Sequence, residues 1–190
     1  MTEPDAMILH TERLTIRPFV ASDLDDIHAI LNAAFGEVPH TERVEWLDWT
    51  ISNYTALARL FQPPYGDRAI TLTESGMLIG AVGLVPSFGP FDVVLSDRPT
   101  GLFTPEMGLF WALGEAHRGY GYATEAARAL ITFAFETLKL KRIVAMTEYD
   151  NTPSIRVIER LGMTVHHNPN PTPEWFQVVG VLANPAITLG

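Results

Sequence analysis

The chain has 190 residues, 47% apolar and 18% charged, with a net charge of −9: one globular domain with a core, not a disordered chain and, lacking a basic balance, not a general nucleic-acid binder. Its lack of cysteine excludes disulfides, thiol nucleophiles and thiolate metal sites, and fits a cytoplasmic setting. The N-terminus is acidic without the apolar segment of a signal peptide, and no apolar run reaches membrane-spanning length.

Met7 to Phe19 reads as a first strand, with Leu14 and Ile16 inward, Thr15 and Arg17 outward, and Pro18 as its stop. Ser22 is placed as an N-cap, with Asp23, Asp25 and Asp26 in a first turn that the helix dipole favours. Leu24, Ile27, Ile30, Leu31 and Phe35 recur at helical spacing, and Gly36 ends the helix. Thr41 to Phe61 is a second helix or a broken pair, with Val44, Leu47, Ile51, Tyr54, Leu57 and Leu60 as its stripe and Trp46 and Trp49 beside it. Pro63-Pro64-Tyr65-Gly66 breaks that helix. Ala69 to Thr73 and Met77 to Val85 are strands of a hairpin turning at Glu74-Ser75-Gly76. Residues 86–104 are irregular, punctuated by Pro86, Gly89, Pro90, Pro99 and Gly101, and a stretch this long is functional or mobile.

Glu106 to Leu113 is the central strand, and behind it comes Arg118-Gly119-Tyr120-Gly121-Tyr122-Ala123-Thr124. Glycines there permit positive φ, so successive backbone N–H groups can converge on one spot. A helix starts near Thr124, with Glu125 in its first turn and Ala127, Leu130, Ile131, Ala134, Phe135 and Leu138 inward, and its N-terminus adds unpaired N–H groups. The turn is therefore an anion site of the kind that takes a phosphate or pyrophosphate. It is not a P-loop, since no Gly-Lys pair occurs in the chain, and a dinucleotide fingerprint fails at Thr124. Arg142 to Met146 is the next strand. Asn151-Thr152-Pro153-Ser154 then opens a short helix that Gly162 stops. The tail carries His166-His167 in a Pro-rich segment, then Glu174 to Leu182 as the last strand or strands. Adjacent histidines on an extended chain face opposite ways, so no metal is expected.

Arg118, Gly121 and Ala123 together resemble the acetyl-CoA pyrophosphate motif (Gln/Arg-x-x-Gly-x-Gly/Ala) of the GCN5-related N-acetyltransferase (GNAT) superfamily. Thr11-Glu12-Arg13-Leu14-Thr15-Ile16-Arg17-Pro18, with Ser22-Asp23 and a helix after it, resembles the opening of the RimJ/RimL-type branch. Asn151 to Met163 is similar to that branch's Asn-x-x-Ser-x-x-x-x-x-x-Leu-Gly-Phe segment, with Met163 in the Phe position. The resemblance implies a single α/β domain of α+β type over residues 1–190, a mixed, mostly antiparallel twisted sheet of about six or seven strands with about four helices and a splayed central strand. It implies acetyl-CoA as cofactor. Its pyrophosphate would lie at Arg118, Gly119, Tyr120, Gly121, Tyr122, Ala123 and Thr124, its pantetheine on the backbone of Trp111, Ala112 and Leu113, and its arm and sulfur beside Asn151 and Ser154.

The implied reaction is acetyl transfer to a primary amine by direct attack on the thioester. The tyrosine that many members place seven residues beyond the Asn is Ile158 here. Ser154 is the substitute, either hydrogen-bonding the sulfur or simply starting its helix. Glu106 and Glu148 compete for the role of base, each could instead be a solvated strand-end carboxylate, and an amine whose pKa the pocket lowers could lose its proton to water with no dedicated base. The Trp46/Trp49 segment would be core or the roof of the acceptor pocket, and 86–104 a specificity loop or a cover for the sheet. The acceptor would be a small-molecule amine or a peptide N-terminus, with no nucleic acid and no membrane as partner, and apolar strands near the C-terminus could support a homodimer. A non-catalytic acyl-CoA sensor and an interaction module remain the alternatives.

Overall fold

The computed structural model describes residues 7–96 and 98–186. The acidic start (residues 1–6), Asp97 in the irregular stretch, and tail residues 187–190 lie outside the described residues. The elements are β1 (Leu9–His10), β2 (Leu14–Arg17), α1 (Leu24–Phe35), α2 (His40–Arg59), β3 (Gly66–Leu72), β4 (Leu78–Gly89), α3 (Asp92–Leu95), β5 (Thr104–Leu113), α4 (Tyr122–Thr132), β6 (Arg142–Thr147), α5 (Thr152–Arg160), β7 (Thr164–His167) and β8 (Val178–Ala183). The described strands form one mixed sheet in the order β1-β2-β3-β4-β5-β6-β8-β7. The expected α/β class holds, with more elements than the pattern gave: the first strand is two, and β7 and α3 are additions. Among the described residues no helix is long and apolar enough to cross a membrane. Two compact units can be told apart, residues 7–83 with 111–130, and 84–110 with 131–186.

In the first unit, Thr11 is why the opening strand folds back. Its N–H donates to the Leu14 carbonyl and its hydroxyl accepts from the Leu14 N–H, both at 2.9 Å. Leu9 then faces Ile16 and His10 faces Thr15 across an antiparallel pair. β2 continues antiparallel onto β3, from Leu14↔Leu72 to Arg17↔Ala69. The corner before α1 belongs to Asp23 rather than Ser22. The Asp23 carboxylate accepts from the Val20 N–H at 2.9 Å and from both Arg17 nitrogens at 2.7 and 2.8 Å. Gly36 ends α1 at φ +98°, as expected. α2 is one unbroken helix, and its buried face is Arg43, Leu47, Thr50 and Leu57. The buried face takes in Arg43 and Thr50 where Val44 and Ile51 were expected; Arg43 lies over Trp46 and donates to Asn32 Oδ1 at 3.2 Å. Trp46 meets Phe19 edge-on at 5.6 Å, whereas Trp49 and Leu60 are exposed. The core here is Leu14, Ile16, Phe19, Ile27, Ile70 and Ile79, each contributing roughly 1.5–3 kcal/mol by leaving water.

In the second unit β6 is central. It runs antiparallel to β8 from Arg142↔Ala183 to Thr147↔Val178, and parallel to β5 at the register pair Gly108↔Val144. β8 also pairs with β7, so the two histidines sit on a strand, His167 opposite Val178. The stretch 86–104 is less irregular than its punctuation implies: β4 runs on to Gly89, and α3 follows. Phe91 anchors it, fully buried and edge-on to Phe176 at 5.2 Å, with Val144 and Val179. The helix α4 does not reach Leu138 as an α-helix; its last part, Phe133–Thr137, is a π turn. Asn184 closes that end, its Nδ2 donating to the Leu140 carbonyl at 2.9 Å.

Candidate functional site

The glycine turn lies in the first unit. β5 leaves the sheet through Gly114, whose N–H donates to the Ile79 carbonyl at 2.9 Å. Gly80 lets β4 come close to this end of β5, since a Cβ there would overlap the Ala112 carbonyl oxygen. Gly119 and Gly121 stand at φ +85° and +84°, the left-handed conformation that L side chains resist. α4 starts at Tyr122, two residues before the expected Thr124, so Ala123 is a helical residue on the buried face with Ala126, Ala127 and Leu130. The first-turn N–H groups of α4 thus follow directly on two left-handed glycines, the arrangement that gathers backbone donors at a helix N-terminus. Around Gly119 nothing stands within 4 Å of where a Cβ would be. Tyr120 is exposed and stacks on Tyr122 at 5.9 Å. Arg118 folds back, its Nε donating to the Leu113 carbonyl at 3.1 Å, which ties the turn to the end of β5 beside Trp111 and Ala112.

Sequence reasoning missed the hairpin turn that holds this site. Glu125 Oε1 accepts from the Thr11 hydroxyl at 2.6 Å and the Arg13 N–H at 3.0 Å, while Oε2 accepts from Arg13 Nε at 2.7 Å. Partial burial would raise the Glu125 carboxyl, but these hydrogen bonds and the Arg13 charge hold it below the usual carboxylate range. Thr-Glu-Arg was legible only as part of a resemblance; no local pattern says that a turn near the start of the chain meets α4.

The second unit carries Glu106, Glu148, Asn151 and Ser154. Glu106 is half-buried on β5 with its side chain 7% exposed, and both of its oxygens accept from Arg142, Oε2 at 2.8 Å from Nε and Oε1 through a closer ion pair with Nη2. The Glu106 carboxylate in turn holds the Arg142 guanidinium more firmly protonated. This pair follows from the parallel register, since Glu106 and Arg142 each stand two residues before Gly108↔Val144. Glu148 lies just past β6, its Oε2 accepting from Thr147 Oγ1 at 3.0 Å and Asn151 Nδ2 at 3.3 Å. Its own backbone N–H lowers its carboxyl most, and Asn151 and Thr147 add to that against partial burial. Asn151 caps α5, its Oδ1 accepting from the Ser154 N–H at 3.2 Å. Ile158 is fully buried, and its hydrocarbon side chain carries no proton donor. Tyr149 hydrogen-bonds the Asn168 carbonyl and stacks on His167 at 6.3 Å. Among the described residues, no group of three or more His, Asp or Glu is placed to hold a metal ion.

The sequence pattern described as "Acetyltransferase (GNAT) domain" matches residues 13–164. Uncharacterized N-acetyltransferase YnaD of Bacillus subtilis (strain 168) is 38% identical over 102 residues, 52% of this chain and 52% of that protein, so the match spans about half of its length. Uncharacterized N-acetyltransferase p20 of Bacillus licheniformis is 29% identical over 159 residues, 80% of each. Among solved structures, the acetyltransferase from Agrobacterium tumefaciens str. C58 superposes with a TM-score of 0.68 at 28% identity, covering 93% of this chain and 94% of that one. RimL, a ribosomal L7/L12 α-N-protein acetyltransferase in complex with coenzyme A, has a TM-score of 0.61 at 15% identity over 92% of this chain and 96% of that one, a likeness of fold alone.

Proposed function

The chain belongs to the acetyltransferase (GNAT) domain family, and on that premise we propose that it moves an acetyl group from acetyl-CoA to a primary amine. The observation that carries this reading is the pair of left-handed glycines, Gly119 and Gly121, directly ahead of α4. Backbone donors there fit a pyrophosphate, and nothing stands within 4 Å of where a Cβ on Gly119 would be. Acetyl-CoA supplies the activated thioester; the chain's part is to hold it, to remove a proton from the amine and to stabilise the leaving thiolate.

In this proposal the N–H groups of Gly119 to Thr124 take the pyrophosphate, and the backbone of Trp111, Ala112 and Leu113 takes the pantetheine. Arg118 serves from behind, bracing the turn on Leu113. Glu148 is the base, taking the amine's proton through water: its carboxylate, held by the neutral Thr147 and Asn151 side chains, is ionised at neutral pH. Glu106 is the weaker candidate, since both its oxygens are turned to Arg142. As the N–C bond forms and the C–S bond breaks, the Ser154 hydroxyl hydrogen-bonds the sulfur, and Asn151 fixes the helix start that carries it. The Thr11–Pro18 and Asn151–Met163 segments support the RimJ/RimL-type branch. The acidic net charge of −9 favours a small cationic amine over a protein N-terminus as acceptor. Residues 86–104 stand as the specificity loop.

The test is calorimetric titration with acetyl-CoA and with desulfo-CoA, followed by thiol release with a panel of polyamines, amino sugars and N-terminal peptides. Micromolar binding of both and turnover with one amine class is expected. Binding without turnover across the panel would leave the acyl-CoA sensor, a reading that buried Ile158 in the tyrosine position keeps open. A folded protein that binds neither compound refutes the proposal.

A further inference from the structure

A carboxylate stands where an anion is proposed to bind. Glu125 occupies the first turn of α4, four residues after Gly121. Its charge suits the helix dipole but opposes a bound diphosphate. The neutralising charge comes from the far end of the sequence. Arg13 Nε and Nη2 reach Glu125 Oε2 at 2.7 and 2.6 Å, and Nη1 donates to the Tyr120 carbonyl at 3.1 Å. The guanidinium lies over the Tyr122 ring, 4.6 Å from its centroid, and Nη2 is 3.6 Å from where a Cβ on Gly121 would be. Thr11 and the Arg13 N–H occupy the other carboxylate oxygen. Both oxygens of Glu125 are thus turned to the hairpin turn between β1 and β2.

We propose that Arg13, with Thr11, is a positioning residue for the cofactor turn: it neutralises Glu125 and fixes the Gly119–Tyr122 backbone, so that the turn presents a net positive field to a diphosphate. The inference rests on the proposed function. A fork of three hydrogen bonds over an aromatic face is a geometry that arginine makes and lysine does not, so the charge and the brace are separable by substitution.

The test is calorimetric titration of the full chain with acetyl-CoA, at low and high salt, with melting temperatures measured alongside. Arg13→Ala leaves Glu125 uncompensated beside the diphosphate and is expected to bind about tenfold more weakly, with the loss shrinking at high salt and kcat at saturating acetyl-CoA unchanged. Arg13→Lys keeps the charge and recovers part of the affinity. Glu125→Gln removes the opposing charge and is expected to bind at least as tightly as the wild type. The double variant Arg13→Ala/Glu125→Gln recovers most of the loss, which a purely structural brace would not allow. Wild-type binding with an unaffected Arg13→Ala, or a double variant as weak as Arg13→Ala, overturns this inference alone. Should Arg13→Ala fail to fold, an Arg13→Lys protein that binds acetyl-CoA as tightly as the wild type overturns it. Wild-type protein that does not bind acetyl-CoA removes the functional reading itself, and this inference with it.

Discussion

Replacing Gly80 by alanine separates close approach from backbone freedom. A Cβ there would overlap the Ala112 carbonyl oxygen and stand 2.6 Å from Leu113 Cδ2. The leucine methyl can rotate away, but the carbonyl belongs to the β5 backbone, so β4 and β5 must part at the residues proposed to hold the pantetheine. Overpacking of this kind costs about 1–3 kcal/mol, and the stiffer unfolded chain offsets roughly 0.4–1 kcal/mol of it. A net loss of about 1–2 kcal/mol lowers the melting temperature by roughly 2–8 °C in a chain of this size. Acetyl-CoA affinity should fall with it. Gly76→Ala is the control: Gly76 stands at φ +72° with nothing within 4 Å, so strain of roughly 1–2 kcal/mol, less the same unfolded-chain offset, is its whole effect and acetyl-CoA affinity should not change. Thermal unfolding and calorimetric titration of both variants decide the matter. A Gly80→Ala protein that melts with the wild type, or that melts lower yet binds acetyl-CoA unchanged, refutes the reasoning.

Gly121→Glu brings a side chain to φ +84° and a negative charge to the proposed pyrophosphate site; acetyl-CoA binding should vanish in titration while circular dichroism keeps the native spectrum. Glu148→Gln should lower kcat/KM by about 10²-fold or more if Glu148 is the base, with little change in acetyl-CoA affinity. Because the Glu148 pKa is depressed, the acid limb of the wild-type pH profile should lie below the ordinary carboxylate range, and activity above it should follow the amine's own titration. In half-buried Asp67, loss of water pushes the carboxyl from its ordinary 3.8 up to about 6, with the Arg68 charge opposing. A raised carboxyl pKa means that stability is lost as pH rises from the unfolded value through the folded one. Between pH 4 and pH 7 the wild type should lose on the order of 1–2 kcal/mol relative to Asp67→Asn, allowing for partial solvent exposure. Urea unfolding across that range reads the difference, and parallel curves would show that Asp67 does not ionise as described.

Local rules carried much of the fold because the responsible forces were local. Gly36 and Gly162 end their helices at positive φ, and Asn151 caps α5 with Pro153 in its first turn; each depends on a residue's own backbone and near neighbours. The glycine turn was legible for the same reason. The first strand was misjudged because a three-residue turn at Thr11–Arg13 contains neither Gly nor Pro, and the hydroxyl bond that closes it leaves no mark in hydrophobic alternation. β7 was missed because Thr164 to His167 is polar at both ends and owes its strand state to β8.

By itself, then, the sequence determined the strand, turn and helix of the proposed cofactor site, the order of most elements and the family resemblance, since these rest on backbone preferences and short spacings. Only the tertiary structure decided which charges meet. Glu106 faces Arg142 because β5 and β6 are parallel in one register, and Glu125 faces Arg13 because a hairpin turn 112 residues earlier reaches α4. Charge pairing depends on distances of a few ångströms between segments far apart in the chain, and the Coulomb energy that fixes it has no counterpart in the order of the residues.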